Sequence, residues 1–317
     1  MAEWSNAIRD VIRADWARPV PDSLPAVVDA LLRRHGSAVG AVLFHGSCLR
    51  RGSDRDSMLD LYLLVDSYKE CYPGRPFIAW ANRVLPPNVF YFGLPWEGRT
   101  VRTKYSVISF GDFTAGAGPR AILPSVWARF SQPTVLIHAR DEAAETRARA
   151  ALVSAITTMA LRTAPLIREP VDAAGFWTAG YARSYRAELR VEGVGRAAQL
   201  VEPAARYEAL LRPALNGAGL AFAEAGEGRI GLLMNDAERR RRLAFWPRAD
   251  LATRVHSIPR LAKAAWTFEG GVDYALWKVE RHSGVRVEAS PWQRRHPLLA
   301  ALPLLWRAYR RRAFRRA

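Results

Sequence analysis

The sequence predicts an α/β protein of the α+β type, with a mixed β-sheet followed by helices. Short apolar runs separated by turn residues fill the segment from 38 to 139, and an Ala-rich pattern with helical spacing follows Arg140. The last quarter of the chain is strongly basic. We therefore predict a sheet-containing domain over residues 1–160, a helical or winged-helix-like domain over 161–290, and a basic amphipathic helix over 291–317.

The predicted sheet is preceded by a helix. Leu24, Val27, Val28 and Leu31 have the spacing of one helical face, and Gly36 is a typical residue to end such a helix. Five strands are then expected from apolar runs rich in β-branched and aromatic residues. Their sequences are AVGAVLF, SMLDLYLLVDS, NVFYFGL, TVRTKYSVISFGDF and PTVLIHA.

The segments after the sheet are expected to be mainly helical. The Ala-rich pattern predicts two or three packed helices, and the Gly-rich stretch from 216 to 232 is expected to be a linker or loop. Residues 250–288 hold two short helical patterns and a β-like VRVEA segment. That combination would suit a small helical or winged-helix module.

Composition and charge narrow the possible functions. The chain has 317 residues with 47 Lys and Arg against 30 Asp and Glu, and residues 239–317 alone contain 19 basic and 5 acidic residues. Such an excess attracts nucleic acid, an anionic membrane leaflet or a phosphorylated substrate. The two cysteines, Cys48 and Cys71, lack the spacing of a zinc site or a disulfide framework.

A candidate site lies between the first two predicted strands. Gly46 and Ser47 follow one strand, and Asp60 lies within the next. Glycine allows a phosphate to approach the backbone, a serine hydroxyl can bind phosphate oxygens, and an aspartate can hold Mg²⁺. Strand alternation also places Asp60 on the same face as Tyr62, away from the more apolar face. A carboxylate in that position needs a metal ion, a cation or water.

The arrangement is similar to that of polymerase-β-like nucleotidyltransferases, but Tyr62 stands where a second metal-binding carboxylate is usual. The remaining candidates to join Asp60 are the aspartates at positions 54, 56, 66 and 112. An ordinary pair of strands joined by a polar turn is the competing interpretation.

Residues further along the chain extend the resemblance. VRTKYSVIS at 101–109 and WARFSQPTVLI at 127–137 resemble two segments of the mitochondrial-type CDP-diacylglycerol synthases, which are the phosphatidate cytidylyltransferases of the translocator assembly and maintenance family. That family also has a single Asp without the second acid in the strand that corresponds to MLDLYLLVDS. This chain departs from the family at Ser106 and Gln132, where the family has glycine and lysine, which would suit a distant bacterial-type member.

The resemblance implies a polymerase-β-like nucleotidyltransferase fold that uses CTP and Mg²⁺ to convert phosphatidate into CDP-diacylglycerol and pyrophosphate. It implies catalytic roles for Asp60, Lys104 and Arg129. The implied nucleotide-binding residues are Gly46, Ser47 and Tyr105. Asp60 and Asp112 are the implied metal ligands.

The expected location is the cytoplasmic face of the cell membrane, with the protein attached peripherally. The first twenty residues contain three acids and no apolar core of a secretory signal, and the longest uncharged apolar run, at 297–306, is too short to span a bilayer as a helix. The tail PLLWRAYRRRAFRRA combines apolar and arginine-rich faces, as interfacial helices do. Two alternatives stay open. The protein could transfer a nucleotide to RNA, protein or a small molecule, or it could be a non-catalytic basic adaptor with a degenerate nucleotidyltransferase fold.

Overall fold

The computed structural model describes residues 2–55, 57–187 and 194–267, together with Ser290 and Trp292. Seven strands occur in this part of the chain, and they are β1 (Val39–His45), β2 (Leu59–Val65), β3 (Asn88–Trp96), β4 (Arg99–Ser109), β5 (Thr134–Ala139), β6 (Phe222–Glu224) and β7 (Ile230–Leu232).

The helices within the same described ranges fall into two groups. Those that precede β5 are α1 (Glu3–Trp16), α2 (Leu24–His35), α3 (Ser47–Arg51), α4 (Tyr68–Cys71), α5 (Pro76–Val84), α6 (Phe110–Ala117) and α7 (Trp127–Phe130). Those that follow β5 are α8 (Glu142–Thr163), α9 (Ala173–Ala187), α10 (Val194–Gln199), α11 (Ala204–Gly217), α12 (Asp236–Leu243) and α13 (Phe245–Thr267).

Five of the strands form one mixed sheet in the order β3-β4-β2-β1-β5. Strands β2 and β4 are parallel, while the other neighbouring strands are antiparallel. The mixed sheet and the surrounding helices confirm the predicted α+β class. All five predicted strands are present, and α2 has the predicted limits, ending before Gly36.

The sheet is covered on both faces. One apolar cluster packs Tyr62 and Leu64 of β2 against helices that include α8, α9 and α11, and a second packs Leu61 and Leu63 against α2 and the β3–β4 hairpin. The first cluster extends from Ile8 to Ala249. The same packed core therefore runs across the predicted domain limit at residue 160.

Several local predictions differ from the structure. The Gly-rich stretch predicted as a loop contains the β6–β7 hairpin, because residues 222–224 pair with 230–232. The segment FGDF, predicted as the end of a strand, begins α6 instead, because the Ser109 hydroxyl accepts the first-turn N–H of Asp112 and starts a helix there.

Other predictions concern the basic end of the chain. Residues 245–267 form the single helix α13 with Pro259 inside it, where shorter helical patterns were predicted. The VRVEA segment and the predicted tail helix at 291–317 lie outside the described residues, apart from Trp292. Within the described part of the chain, every helix is too short or too polar to cross a bilayer.

Candidate functional site

Strand register brings Asp60 and Lys104 together. The two residues are direct neighbours on the parallel strands β2 and β4, so their side chains leave the sheet on the same face. A carboxylate oxygen of Asp60 lies 2.7 Å from Nζ of Lys104, and the Asp60 side chain is 20% exposed. The sequence-predicted acid and the sequence-predicted lysine therefore form one ion pair at the surface of the sheet.

Gly46 lies directly against this ion pair. Its φ is 91°, in the left-handed region, and a Cβ atom at this position would lie 2.7 Å from Oδ2 of Asp60. Any side chain would therefore strain the backbone and collide with the carboxylate. Ser47 follows as the first residue of α3, and its Oγ is 3.4 Å from Oγ of Ser57. The predicted Gly-Ser turn thus approaches Asp60 through Gly46, while Ser47 contacts Ser57.

His45 is a member of this site that the sequence did not single out. It is the antiparallel neighbour of Asp60 on β1, and it is buried. Burial lowers the pKa of His45 to about 3, and the positive charges of Arg129, Lys104 and Arg50 act in the same direction although Asp60 opposes them. His45 is accordingly a neutral imidazole near neutral pH.

The charge of Asp60 is set by opposing effects. Burial disfavours its ionised form, but the positive charges of Lys104 and Arg129 outweigh burial and lower the pKa of Asp60 below its ordinary value. Asp60 is therefore an ionised, poorly hydrated carboxylate. Several cations surround this single negative charge, and the site as a whole favours an anion.

Arg129 reaches the site from α7. Its Nη1 donates a hydrogen bond of 3.0 Å to the hydroxyl of Tyr62, two residues after Asp60 and on the same face of β2. Phe130 packs edge-on against both Tyr62 and His45, with ring centres 4.9 and 5.4 Å apart. Tyr62 thus positions Arg129 on the face of the sheet that carries Asp60.

A large cavity lies next to Ser57, the serine whose hydroxyl is close to that of Ser47. It has a volume of about 830 Å³, and Ser57 and Arg102 contribute to its lining. Asp54 lines this cavity, and both of its carboxylate oxygens accept hydrogen bonds. Arg99 donates to the two oxygens at 3.0 and 2.9 Å, and Ser23 donates at 2.6 Å. The volume falls within the range of roughly 300–1,000 Å³ that small-molecule sites occupy.

Tyr105 is not brought to this face. It alternates with Lys104 along β4, so its ring enters the opposite core, where it stacks on Phe90 with ring centres 5.2 Å apart. Its hydroxyl is 3.3 Å from Nε2 of the buried His35. The sheet therefore separates Tyr105 from Asp60. The expected contact of Tyr105 with a nucleotide bound at Asp60 does not agree with this placement.

Asp112 is also not brought to Asp60. It follows the far end of β4, and the five residue-to-residue steps from Lys104 to Ser109 span about 16 Å of strand. Its carboxylate accepts hydrogen bonds from Tyr68 at 2.6 Å and Ser109 at 2.8 Å. The proposed joint binding of one metal ion by Asp60 and Asp112 does not agree with this register.

The other candidate acids are also accounted for. Asp66, at the end of β2, pairs with Arg140 and Arg147 at 2.8 and 2.9 Å, and Asp54 is held by Arg99 as described above. Asp56 lies outside the described residues. Within the described ranges no group of three or more His, Cys, Asp or Glu side chains is arranged to hold a metal ion.

The run of arginines at 239–242 has mixed roles. Arg239 is buried and donates to the main-chain carbonyls of Pro165, at 3.1 Å, and Ile167. Arg242 pairs with Glu238 one helical turn away. At least these two arginines stabilise the fold of α12.

Comparison with known proteins does not identify a family. No protein-family model matches this chain, and no curated protein matches it significantly.

Proposed function

We propose that this protein is a nucleotidyltransferase that transfers CMP from CTP to phosphatidate and releases pyrophosphate. The observation that carries the proposal is the ion pair of Asp60 and Lys104, packed against Gly46 and flanked by Arg129. The sequence resemblance singled out these four residues independently of their spatial arrangement. Their assembly on one face of a mixed sheet supports a polymerase-β-like nucleotidyltransferase fold.

The residues of the site fit the charges of this reaction. A phosphate oxygen of phosphatidate attacks the α-phosphorus of CTP, a new P–O bond forms, and the bond to the β-phosphate bridging oxygen breaks as pyrophosphate leaves. Lys104 and Arg129 would stabilise negative charge on the transferring and leaving phosphates. Gly46 would allow the triphosphate to approach the main chain, and the Ser47 hydroxyl would donate to a phosphate oxygen.

Mg²⁺ fits this site as an ion held largely by substrate. Magnesium in nucleotide sites is commonly bound by one or two carboxylates together with phosphate oxygens and water. Asp60 is an ionised carboxylate and would supply one ligand, provided that Lys104 turns from Asp60 to the phosphates. When bound, the ion would neutralise phosphate charge.

The test is a product assay with defined vesicles. Purified protein, CTP and Mg²⁺ are mixed with vesicles that contain phosphatidate or, as a control, phosphatidylglycerol, and CDP-diacylglycerol and pyrophosphate are measured. We expect both products from phosphatidate alone, and loss of both in Asp60→Asn. Labelling of RNA, protein or a soluble acceptor without CDP-diacylglycerol would contradict the lipid substrate and favour another nucleotidyltransferase.

We also propose a location for this activity, at the cytoplasmic face of the cell membrane. The support is the basic, amphipathic sequence at 297–317, which lies outside the described residues. Deleting 297–317 is expected to weaken binding to anionic vesicles while activity on detergent-dispersed phosphatidate is kept. Unchanged vesicle binding would contradict a membrane-binding tail.

A second candidate function is supported by the same ion pair. Lys104 already neutralises Asp60, and among the described residues no group of three or more His, Cys, Asp or Glu side chains is arranged to hold a metal ion. A non-catalytic protein that binds polyphosphates through its cations would have this arrangement. It predicts that Asp60→Asn, by removing negative charge, tightens CTP binding without Mg²⁺ and that no acceptor is labelled by the unmodified protein.

A further inference from the structure

A small second cavity lies on the Arg129 side of the site. Its volume is about 180 Å³, and it separates α13 from the segment that leads into α7. Its polar lining comes from four residues of α13 and two of the facing segment. They are Thr253, His256, Ser257 and Arg260 on α13, with Ser125 and Arg129 opposite.

The four α13 residues form one face of the helix. Their spacing of three, four and seven residues after Thr253 repeats about every helical turn, so all four side chains are directed to the same side. The helix is fixed on both sides of this face. Asp250 pairs with Arg183 of α9 at 2.8 Å, and Nζ of Lys263 donates to the Pro87 carbonyl at 2.8 Å. The cavity wall is therefore held in place before any ligand binds.

The lining of this cavity has the chemistry of an anion site. Two arginines and a histidine contribute to it, whereas none of its described lining residues is acidic. The Thr253 hydroxyl is buried and has no hydrogen-bond partner, which is costly unless a ligand or water supplies one. Arg260 also adds positive potential nearby, since after burial it is the cause that lowers the pKa of Lys263 to about 8.

We propose that this cavity binds a phosphate monoester through Arg129, Arg260 and His256, with Thr253 as a hydroxyl contact, because the Ser257 hydroxyl already donates to the Thr253 carbonyl at 2.7 Å. A guanidinium can donate two parallel hydrogen bonds to a phosphate, and the small volume suits a phosphate group better than a whole nucleotide. Arg129 also contacts Tyr62 beside Asp60, so a phosphate here would adjoin the nucleotide site. This role as the acceptor subsite rests on the function proposed above, whereas phosphate binding itself does not.

The binding test compares two arginines of the same helix. Arg260→Gln removes a cation from the cavity, while Arg254→Gln removes one from the exposed side of α13 and serves as the matched control. Glycerol 3-phosphate binding is measured by calorimetry, and vesicle binding is compared for phosphatidate and phosphatidylglycerol. We expect Arg260→Gln to raise the Kd for the phosphate monoester by about tenfold or more, and Arg254→Gln to change it less than about twofold.

Two arms of the test distinguish the source of the phosphate. Saturable binding of glycerol 3-phosphate that depends on Arg260 would indicate a soluble ligand, whereas Arg260-dependent binding to phosphatidate vesicles alone would indicate a lipid headgroup. Thr253→Val provides a second variant of nearly unchanged shape, and it is expected to weaken the same binding several-fold. Equal Kd values for glycerol 3-phosphate in all variants, together with binding to phosphatidate vesicles that Arg260→Gln leaves unchanged, would overturn the proposal.

The product and binding assays together distinguish failure of the phosphate-site proposal from failure of the proposed function. If CDP-diacylglycerol forms but Arg260→Gln leaves the KM for phosphatidate unchanged, the cavity is not the acceptor subsite although the enzyme assignment stands. If no CDP-diacylglycerol forms but phosphate binding depends on Arg260, the cavity is an anion site and the lipid cytidylyltransferase assignment is wrong. The Kd for CTP should stay unchanged in Arg260→Gln in either case.

Discussion

Strand β2 carries an aspartate near each end, and the two ends differ in their surroundings. Asp66 is paired with two arginines that are 39% and 50% exposed, so water surrounds most of that group. Asp60 is paired with one lysine, is more buried and adjoins a neutral buried histidine, and Arg129, whose charge lowers its pKa, lines the smaller of the two cavities. The two ion pairs of this strand are therefore not equivalent, because the Asp60 carboxylate is less hydrated than that of Asp66.

The largest expected difference between the two ends is in activity. Asp60→Asn removes the negative charge that would bind metal, and we expect cytidylyl transfer to fall by at least about 10²–10³-fold. Asp66→Asn, at the other end of the same strand, should keep nearly the full rate. The measurement is CDP-diacylglycerol formation, with circular dichroism to verify that both variants fold. Equal losses in both variants would contradict a special role for the Asp60 end.

The sequence predicted which residues meet at the Asp60 end better than it predicted how they are arranged. Apolar runs are long enough to identify all five strands of the sheet, and the Gly-Ser turn, Asp60, Lys104 and Arg129 do meet. Their meeting depends on the parallel pairing of β2 with β4, which local sequence does not encode. The resemblance supplied that pairing indirectly, by marking Lys104 together with Asp60.

Predictions from the sequence were wrong or missing where a residue's role depends on the direction of its side chain or on contacts between distant segments. Tyr105 follows Lys104, so strand alternation alone sends it to the opposite face. Asp112 was a chemically reasonable second ligand, but its distance from Asp60 depends on strand register. His45 directly precedes Gly46, but its burial against Phe130 and its neutral state depend on contacts between distant segments.

The close approach of Gly46 gives the next largest effect. Gly46→Ala combines a left-handed backbone with a Cβ only 2.7 Å from Asp60, whereas Gly74→Ala has a similar φ of 72° and no atom within 4 Å. We expect Gly74→Ala to destabilise the fold by about 1–2 kcal/mol with little change in rate. Gly46→Ala should destabilise it more and lower the rate by about 10²-fold, because Asp60 must move. Urea unfolding and the product assay measure the two effects, and similar rates for both variants would show that the contact is unimportant.

Acid sensitivity is the third difference between the two ends. The unfolded chain protonates His45 near its ordinary pKa of 6.5, but the folded protein does so only at about 3. Between these values the unfolded state binds more protons, so stability falls as pH falls. This residue alone should cost about 2 kcal/mol between pH 7 and pH 5. In His45→Gln that part of the pH dependence should disappear, as measured by urea unfolding at both pH values. If the unfolding free energy of the variant changed with pH as much as that of the unmodified protein, a buried neutral His45 would be contradicted.

The smallest effect is expected at the Asp66 end itself. Arg147→Gln removes one of two exposed cations from Asp66, and Arg140 remains 2.8 Å from the carboxylate. Exposed ion pairs contribute little and salt screens them, but the Arg147 guanidinium also lies 4.1 Å from the centre of the Phe110 ring, so we expect a loss of about 1 kcal/mol that shrinks in high salt. Arg140→Gln is the matched variant and should cost a similar amount, because Arg140 also donates to the Ser37 carbonyl at 3.0 Å and pairs with Asp141. Urea unfolding at low and high salt measures both losses. A loss of several kcal/mol from Arg147→Gln, or any change in catalytic rate, would show that the two ends of β2 are coupled. The contrast between a solvated ion pair and a desolvated site would then no longer explain their difference.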